Sequence, residues 1–316
     1  MTCHNNKAIQ RERRPDDEID LRELFYVIWQ AKWWIVGFTF FTTAIAIAIA
    51  LSLPDKYKSE ALLAPVQGES DSLGGLAAKY GGLASLAGIS LPSGGGGDNT
   101  ALGIEKLKTR EFVFEFIEKH ELLVPIMAAI GWNYESNSLL IDDDVFDVEA
   151  RVWVRSVSYP LTSKPSLQEA FERFSESFSV SQDRDTGFVR ISIEHYSPHV
   201  SKQWVDWIIE DIDRVMREKD IQDAQRSIEY LNNQIQNTDV AEVRAMLSEL
   251  VQGKIETLML AKVRDQYLFD VIDPAIATER PSRPNRVLII MLTIISTIFL
   301  GCVLAIIKHS FKSESQ

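Results

Sequence analysis

The sequence predicts an α+β membrane protein in which two transmembrane helices flank an α/β base with a long protruding helical hairpin. Three observations carry this prediction. Two uncharged apolar runs lie near the ends of the 316-residue chain. The segment between them mixes strand and helix patterns, and the stretch after Ser197 has no helix breaker for roughly 38 residues, or about 57 Å of helix.

The two apolar runs are long enough to cross a bilayer. Residues 33–54 form 22 uncharged positions and residues 287–307 form 21, and a helix needs about 20 residues to span a hydrocarbon layer of about 30 Å. Trp33, Trp34 and Tyr57 stand where aromatic belts occur. A buried core helix seldom lacks charge over such a length, and the residues before the first run are too many and too acidic for a signal peptide.

Flanking charge predicts the orientation of the chain. Basic residues precede the first run and follow the second, which predicts that the tails 1–32 and 308–316 are cytoplasmic. Residues 55–286 then form a periplasmic domain. Arg280, Arg283 and Arg286 precede the second run, on the side where the positive-inside rule does not expect basic residues. Long domains, however, cross the membrane largely regardless of charge. The basic residues that carry the prediction are Lys7, Arg11, Arg13, Arg14, Arg22, Lys32, Lys308 and Lys312.

Composition restricts what the middle segment binds. Residues 55–286 carry a net charge of −13, which argues against nucleic acid because a phosphate backbone requires a basic surface. The two cysteines, Cys3 and Cys302, lie outside this segment. The domain must therefore fold without an internal disulfide, and its 232 residues suffice for one hydrophobic core.

The first half of the middle segment begins with a strand pattern. Residues 57–66 favour a strand, and residues 67–100 are rich in glycine, alanine, serine and leucine. We predict a small-residue helix around 83–86 and a flexible loop at Gly94–Gly97. A phosphate-binding loop is disfavoured, because neither G-x-x-x-x-G-K-[ST] nor G-x-G-x-x-G in a strand-to-helix setting occurs.

A helix with a cap at Asp98 or Asn99 should follow and break near Pro125. Its apolar positions are Leu102, Leu107, Phe112, Phe116 and Ile117. The acidic residues Asp142, Asp143, Asp144 and Asp147 come next. They favour a solvated turn over a cation site, since the glycine and final glutamate of an EF-hand loop are missing.

The remainder of the base alternates between short elements. Residues 151–155 have a strand pattern, and Ser166 with Glu169 forms a capping box at the start of a helix. Residues 178–195 alternate like a β-hairpin that turns at 185–187. These elements predict an α/β base formed by residues 55–196 and 267–286.

The long helix starts with Ser197 as N-cap and Pro198 in its first turn, and should end near 237–239. A second apolar repeat follows and ends near Arg264, so residues 197–266 are predicted to form an αα-hairpin. One bent helix that crosses a large sheet remains the alternative. The seam of the coiled coil consists of Ile221, Ala224, Ile228, Leu231 and Ile235 on the first helix and Val240, Val243, Leu247 and Leu250 on the second.

The chain then returns towards the second apolar run. Residues 266–274 predict a strand that lies beside the first strand, because both strands lead into membrane spans. Pro274, Pro281 and Pro284 fix φ and remove backbone donors, so they should make the lead into the second span stiff and extended.

Three stretches of the chain resemble the Wzz family of polysaccharide chain-length determinants. They are "DDEIDLRELFYVIWQAKWWI", "SIEYLNNQIQNTDVAEVRAMLSEL" and "MLAKVRDQYLFDVIDPAIATERPSRPNRVLII". They occur in the family's order over nearly the whole chain, and Pro274, Pro281 and Pro284 fall at the family's proline motif beside the second span.

The resemblance implies a two-span polysaccharide co-polymerase of the bacterial inner membrane that is not an enzyme and needs no cofactor or metal. Members form bell-shaped homo-oligomers. They set the modal length of lipopolysaccharide O-antigen or related glycans, with a Wzy-type polymerase acting on undecaprenyl-diphosphate-linked chains. The glycine-rich stretch 67–100 also resembles the exopolysaccharide branch, so the controlled polymer remains open.

Two sets of residues are candidates for contacts. Arg214, Arg217, Arg226 and Arg244 lie on the predicted hairpin, where they would face neighbouring protomers or the glycan if protomers pack through their long helices; ordinary solvated faces are the alternative. Gly37 and Gly301 lie in the two spans and would allow close helix packing.

Other functions fit the sequence less well. His195 and His199 are four residues apart, but Pro198 disfavours a shared helical face, and no H-E-x-x-H or G-x-S-x-G motif supports an enzyme. An adaptor for a separate tyrosine autokinase in capsule or exopolysaccharide export remains the main alternative. A two-span sensor would need a cytoplasmic output domain, for which the predicted tails leave little room.

Overall fold

The structure is a computed structural model that describes Trp29 and residues 31–66 and 97–313. The predicted helix around 83–86, residues 94–96 of the predicted loop and most of the predicted tail 1–32 lie outside these residues. The chain forms two compact units, the first from Met1–Leu53 and Pro284–Gln316 and the second from Pro54–Arg283.

The described elements mix helices and strands. The helices are α1 (Lys32–Ser52), α2 (Gly97–Leu107), α3 (Arg110–Lys119), α4 (Leu123–Met127), α5 (Leu167–Ser177), α6 (Pro198–Gln236), α7 (Ala241–Val263) and α8 (Arg286–Ser313). The strands are β1 (Tyr57–Pro65), β2 (Ala129–Asn133), β3 (Ser138–Ile141), β4 (Phe146–Asp147), β5 (Val152–Trp153), β6 (Phe178–Gln182), β7 (Val189–His195) and β8 (Phe269–Asp273). This mixture, with one very long helix and two apolar helices, confirms the predicted fold class.

The first unit consists of α1 and α8, which pack on one another. Both are long and apolar enough to cross a membrane, judged by length and composition. Their outer surfaces are apolar: Phe40 on α1 is 78% exposed and Phe299 on α8 is 71% exposed. Helices with such exposed apolar side chains are more stable in lipid than in water.

The second unit is built on a four-stranded antiparallel sheet in the order β6-β7-β1-β8. Its strands alternate, because successive side chains point to opposite faces. Ala61 and Leu63 of β1 and Ile191 and Ile193 of β7 are buried in the main core. Glu60 and Arg190 pair at 2.7 Å and are half exposed, so one face of the sheet is apolar and the other carries charge.

Strand β1 is central because it pairs with strands from both distant parts of the chain. Tyr57 pairs with His195 at one end and Leu63 with Val189 at the other. On its other edge β1 pairs with β8, with a register shift between Leu62 and Leu63. The prediction that 266–274 returns beside the first strand is confirmed.

Two helical predictions at the start of the base are wrong. The single helix predicted up to Pro125 is interrupted at Thr109, whose hydroxyl accepts a hydrogen bond from Phe112 N at 3.3 Å and caps α3. Helix α2 begins at Gly97, so Gly97 is not in a loop and Asp98 and Asn99 are not caps. Thr100 in the first turn of α2 is buried. Tertiary packing therefore stabilises a helical turn that precedes Leu102, the first apolar position of the predicted helix.

Several local predictions hold. The capping box is present, with Ser166 Oγ accepting from Glu169 N and Glu169 Oε1 accepting from Ser166 N. The predicted hairpin is β6 and β7, and its turn places Gly187 at φ 75°, which glycine tolerates. The predicted strand at 151–155 shortens to Val152–Trp153, paired with β4.

The long helix and its hairpin are also confirmed. Helix α6 has 39 residues, so it is about 58 Å long, and Ser197 Oγ caps it by accepting from Val200 N. Its first half lies in the main core, whereas Leu231 joins a second, smaller core with α7. The buried members from α7 are Met246, Leu247 and Leu250.

His195 is a buried histidine at the end of β7. It is 7% exposed; its Nδ1 accepts from Ser197 N and its Nε2 lies 3.3 Å from Pro125 O, so the neutral ring donates from Nε2. The pKa of His195 is lowered from 6.5 to about 4, chiefly by burial and to a smaller extent by the charge of Lys56, against the opposing hydrogen bond to Pro125. The ring also packs against Trp204, with centroids 4.8 Å apart.

This buried histidine predicts acid sensitivity. Because the unfolded chain binds the proton near pH 6.5 and the folded chain near pH 4, the neutral ring's contribution is complete above pH 6.5 and is lost as the pH falls towards 4. Between pH 7.5 and 4.5 the loss should be about 2–3 kcal/mol. His195→Gln should flatten this part of the pH dependence of the unfolding midpoint.

The control is His199→Gln, at an exposed position on the first turn of α6. Its pH profile should follow that of the wild-type protein. Parallel profiles for wild type and His195→Gln would contradict the expectation, since carboxyl groups alone would then explain the acid sensitivity.

Candidate functional site

The root of the helical hairpin is held by the carboxylate of Asp213 on α6. Its Oδ1 accepts hydrogen bonds from the backbone N–H groups of Tyr267 and Leu268 at 2.7 and 2.8 Å. Its Oδ2 pairs with Arg217 Nη2 at 2.7 Å. Because hydrogen bonds to a charged group are stronger than neutral ones, Asp213 ties the chain that returns from α7 firmly to α6.

A second carboxylate extends this contact along α6. The Tyr267 hydroxyl donates to Asp220 Oδ2 at 2.6 Å. Burial and the neighbouring Asp220 carboxylate raise the pKa of Tyr267, so the hydroxyl keeps its proton and remains a donor. Arg217 Nη2 also donates to Asp265 O at 2.7 Å, which gives the returning chain a third attachment.

A third carboxylate, Asp211, joins α6 to α3. Lys119 Nζ pairs with its Oδ1, His120 Nε2 lies 2.9 Å from its Oδ2, and Arg214 Nη2 lies 3.6 Å away. Burial raises the pKa of Asp211, but the hydrogen bonds from Lys119 and His120 outweigh it and leave the pKa lowered. The His120 ring stacks on Trp207 with centroids 4.2 Å apart.

Together Asp211, Asp213 and Asp220 form a carboxylate row, which fastens one helix to α3 and to the segment before β8. Each carboxylate of this row has cationic or hydrogen-bond donor partners on other segments, so the role of the row is positional: it sets the direction in which the hairpin leaves the sheet. Within the described residues no group of three or more His, Cys, Asp or Glu side chains is arranged to hold a metal ion.

The four predicted arginines take different positions. Arg214 and Arg217 serve the carboxylate row, and Arg214 also pairs with Glu115 at 3.2 Å. Arg244 Nη2 donates to Thr238 O at 2.7 Å, so it closes the turn between α6 and α7. Arg226 is exposed, and no partner for it occurs among the residues that the structure describes. Of the four, Arg226 is the side chain available to a neighbour.

The proline-rich lead runs along the start of β1. Ser59 Oγ donates to Ile276 O at 2.8 Å, and Thr278 Oγ1 donates to Lys58 O at 3.1 Å. Lys56 N then donates to Arg283 O at 2.9 Å. Pro274 and Pro281 are exposed positions on this segment, where side chains and non-proline amides supply the hydrogen bonds that proline cannot donate. Pro284 stands next to α8 in the first unit.

The two glycines of the apolar helices differ. A Cβ atom on Gly301 would lie 3.2 Å from Ile35 Cγ2, so this glycine permits the close approach of α8 to α1. A Cβ atom on Gly37 would meet nothing within 4 Å. The structure therefore brings Gly301 into helix packing and leaves Gly37 outside it.

Sequence reasoning missed the carboxylate row. One signal was present for Asp211: it stands seven residues after Trp204 and three after Ile208, on the apolar stripe of α6, where an acidic residue needs a partner. The local signal at Asp213 is its ordinary i,i+4 spacing to Arg217, which says nothing of its two backbone partners more than fifty positions away along the chain.

Residues 17–120 match a family model, Wzz, described as chain length determinant protein. This match confirms the resemblance to the Wzz family. The matched segment contains α1, β1, α2 and α3.

Two solved structures are similar over most of the chain, at low identity. One is a full-length bacterial polysaccharide co-polymerase, 12% identical, with a TM-score of 0.37 over 93% of this chain and 99% of that chain. The other is a fragment of WzzB, a polysaccharide co-polymerase from Salmonella Typhimurium, 13% identical, with a TM-score of 0.31 over 73% of this chain and 100% of that chain. No curated protein matches this chain by sequence. The resemblance to the Wzz family therefore rests on the match over residues 17–120, since TM-scores this low add nothing to it.

The carboxylate row predicts a large effect of Asp213→Ala. The variant leaves two backbone donors and Arg217 without their acceptor, which should cost about 2–4 kcal/mol. In the full-length protein in detergent, the thermal unfolding midpoint should fall by about 5–10 °C. Amide exchange at Tyr267 and Leu268 should accelerate.

Asp223→Ala is the matched control on the same helix. Asp223 pairs with Lys219 at 3.0 Å, and both side chains are about half exposed, so its loss should cost less than about 0.5 kcal/mol. Equal midpoints and equal amide protection for the two variants would show that Asp213 does not hold the hairpin.

Proposed function

We propose that the protein sets the modal chain length of a surface polysaccharide, lipopolysaccharide O-antigen, in the bacterial inner membrane. It acts without catalysis, as a homo-oligomeric co-polymerase beside a Wzy-type polymerase that extends undecaprenyl-diphosphate-linked glycan. The observation that carries the proposal is the Wzz match over residues 17–120.

The topology of the proposal has the second unit in the periplasm and both termini in the cytoplasm. Two candidate spans and basic flanking residues support it through the positive-inside rule. Within the second unit, Lys56 and Arg283 pair as neighbours, so the chain enters and leaves that unit at one place. A domain whose two ends meet in this way suits a loop between two spans.

The proposed mechanism is one of shape and association. The residues Ile255, Met259 and Val263 follow each other at spacings of four on α7 and are exposed, which makes an apolar stripe along one helix face. Arg226 on α6 adds an exposed positive charge. These exposed side chains support side-by-side packing of hairpins from neighbouring protomers. The number and tilt of the protomers would then determine the shape of the oligomer that contacts the growing glycan.

Deletion of the gene tests the function. Surface polysaccharide run on a gel should lose its modal cluster of chain lengths and become a graded distribution, and a plasmid copy should restore the cluster. An unchanged cluster would contradict the proposal. Complete loss of the polymer would instead favour an adaptor for a separate tyrosine autokinase.

Charge reversal at Arg226 tests the hairpin contact. Because Arg226 is exposed and makes no internal contact among the described residues, Arg226→Glu should leave folding intact and change either the modal length or the oligomer mass. Arg214 and Arg217 are unsuitable for this purpose, because their reversal would break the carboxylate row.

Arg184→Glu provides the control. Arg184 is exposed in the turn between β6 and β7, and its reversal makes the same change in net charge away from the hairpin. Banding and oligomer mass should match the wild-type protein. If Arg226→Glu leaves both unchanged as well, Arg226 does not contribute to assembly or glycan contact.

A further inference from the structure

One end of the central sheet collects aromatic and basic side chains where the chain enters and leaves the second unit. Lys56, Tyr57, Tyr196 and Arg283 form this junction face. Lys56 pairs with Arg283 through the backbone, and Lys56 Nζ lies 5.4 Å above the Tyr196 ring. Tyr57 pairs with the neighbouring His195.

The covalent chain limits how far this face can lie from the ends of the apolar helices. Tyr57 follows Ser52, the last residue of α1, by five positions, and Arg283 precedes Arg286, the first residue of α8, by three. At no more than about 3.5 Å per residue, these links reach about 17 Å and about 10 Å. If α1 and α8 cross a bilayer, as proposed above, the junction face lies within reach of the headgroup layer.

The β2–β3 ribbon adds exposed apolar side chains to this end of the sheet. Its Trp132 ring lies 5.7 Å from the Tyr57 ring, edge to face, and 6.1 Å from the His199 ring. Two residues further, at the ribbon tip, Tyr134 is 75% exposed, while Ile130 and Leu140 are 50% and 47% exposed. Exposed aromatic side chains accompanied by aliphatic ones are typical of a protein surface at a membrane interface.

The charge of the same region suits lipid phosphate. The second unit is strongly acidic, yet Arg280 and Arg283 lie on the lead that runs beside Lys56, whose carbonyl oxygen accepts from Ser282 N at 2.8 Å. Three acidic residues accompany them: Asp55 adjoins Lys56, Glu279 adjoins Arg280, and Glu194 pairs with Arg283 at 3.0 Å. Arg280 is exposed, and no acidic partner for it occurs in the described ranges. Arg280 and Arg283 are among the basic residues that lie on the opposite side of the second span from the one that the positive-inside rule favours.

We propose that the junction face and the β2–β3 ribbon form a lipid-contact surface. Trp132 and Tyr134 lie among the headgroups of the outer leaflet of the inner membrane, and Lys56 and Arg280 contact lipid phosphates. This surface is a third membrane contact besides the two spans, and it limits how far the base can tilt.

Site-specific fluorescence tests this surface in the full-length chain. In a background of Cys3→Ser and Cys302→Ala, Tyr134→Cys carries a nitrobenzoxadiazole label, and the protein is placed in nanodiscs of phosphatidylethanolamine and phosphatidylglycerol. Spin label on the lipid headgroup should quench position 134 at least about twofold more than a water-exposed control. Iodide should quench the control more strongly.

The water-exposed control is Tyr159→Cys, at a side chain that is 96% exposed in the second unit. Phe40→Cys on α1 reports separately on insertion of the span. If position 40 is quenched by acyl-chain spin label while position 134 behaves like position 159, that result would contradict the proposed lipid contact and support the proposed membrane insertion of α1. If position 40 is not quenched, both this surface and the proposed topology are wrong.

A second copy of the chain is the other occupant that the experiment detects. In that case position 134 would be shielded from both quenchers, and dilution with unlabelled protein would relieve self-quenching between neighbouring labels. This result would overturn the lipid contact and assign the ribbon to an interface between protomers.

Discussion

The antiparallel pairing of β8 with β1 is the constraint on which the rest of the structure depends. It joins segments about two hundred residues apart, and closing a loop of that length costs about 5 kcal/mol in chain entropy. Burial of Phe269 and Leu63 and the side-chain bonds from Ser59 and Thr278 offset that cost. Because β1 also pairs with β7, one strand brings both ends of the second unit to the same side of one core.

The hairpin is stabilised differently at its two ends. At its root, carboxylates on α6 bind backbone donors and cations, and such contacts depend on direction. Towards the tip the cohesion comes from a small apolar cluster around Leu231 and Leu247, which is less directional. A helix pair fastened in this way has a directional polar attachment at the sheet and a less directional apolar contact towards its tip. That combination suits a protein proposed to act by assembly.

Three polar groups inside the second unit stabilise the fold because their surroundings fix their protonation states. His195 is kept neutral, Tyr267 is kept protonated and Asp211 is kept charged, each by its own surroundings. Each of these states supports a contact between elements that are far apart in sequence. Outside this core, Arg226, the apolar stripe of α7 and Tyr134 of the β2–β3 ribbon remain exposed.

The sequence by itself determined the elements whose signals are local. Apolar runs of membrane length, the capping box at Ser166, the start of α6 at Ser197 and Pro198, and the period-2 pattern of β7 all depend on neighbours within one turn or one pleat. The return of 269–273 to β1 was also predictable, because both strands lead into apolar runs. Thr109 shows the limit of this reasoning, since a cap in mid-pattern divides a helix that periodicity alone would continue.

Only the tertiary structure decided which charged side chains serve the fold and which remain available. Arg214, Arg217, Arg226 and Arg244 look alike in sequence, yet two of them serve the carboxylate row, one closes a turn and one is exposed. Likewise Gly301 meets Ile35 while Gly37 meets nothing. The physical reason is that the partners of a side chain come from segments that are distant in sequence and fold beside it. The spacing of residues along one helix does not predict which segments these are.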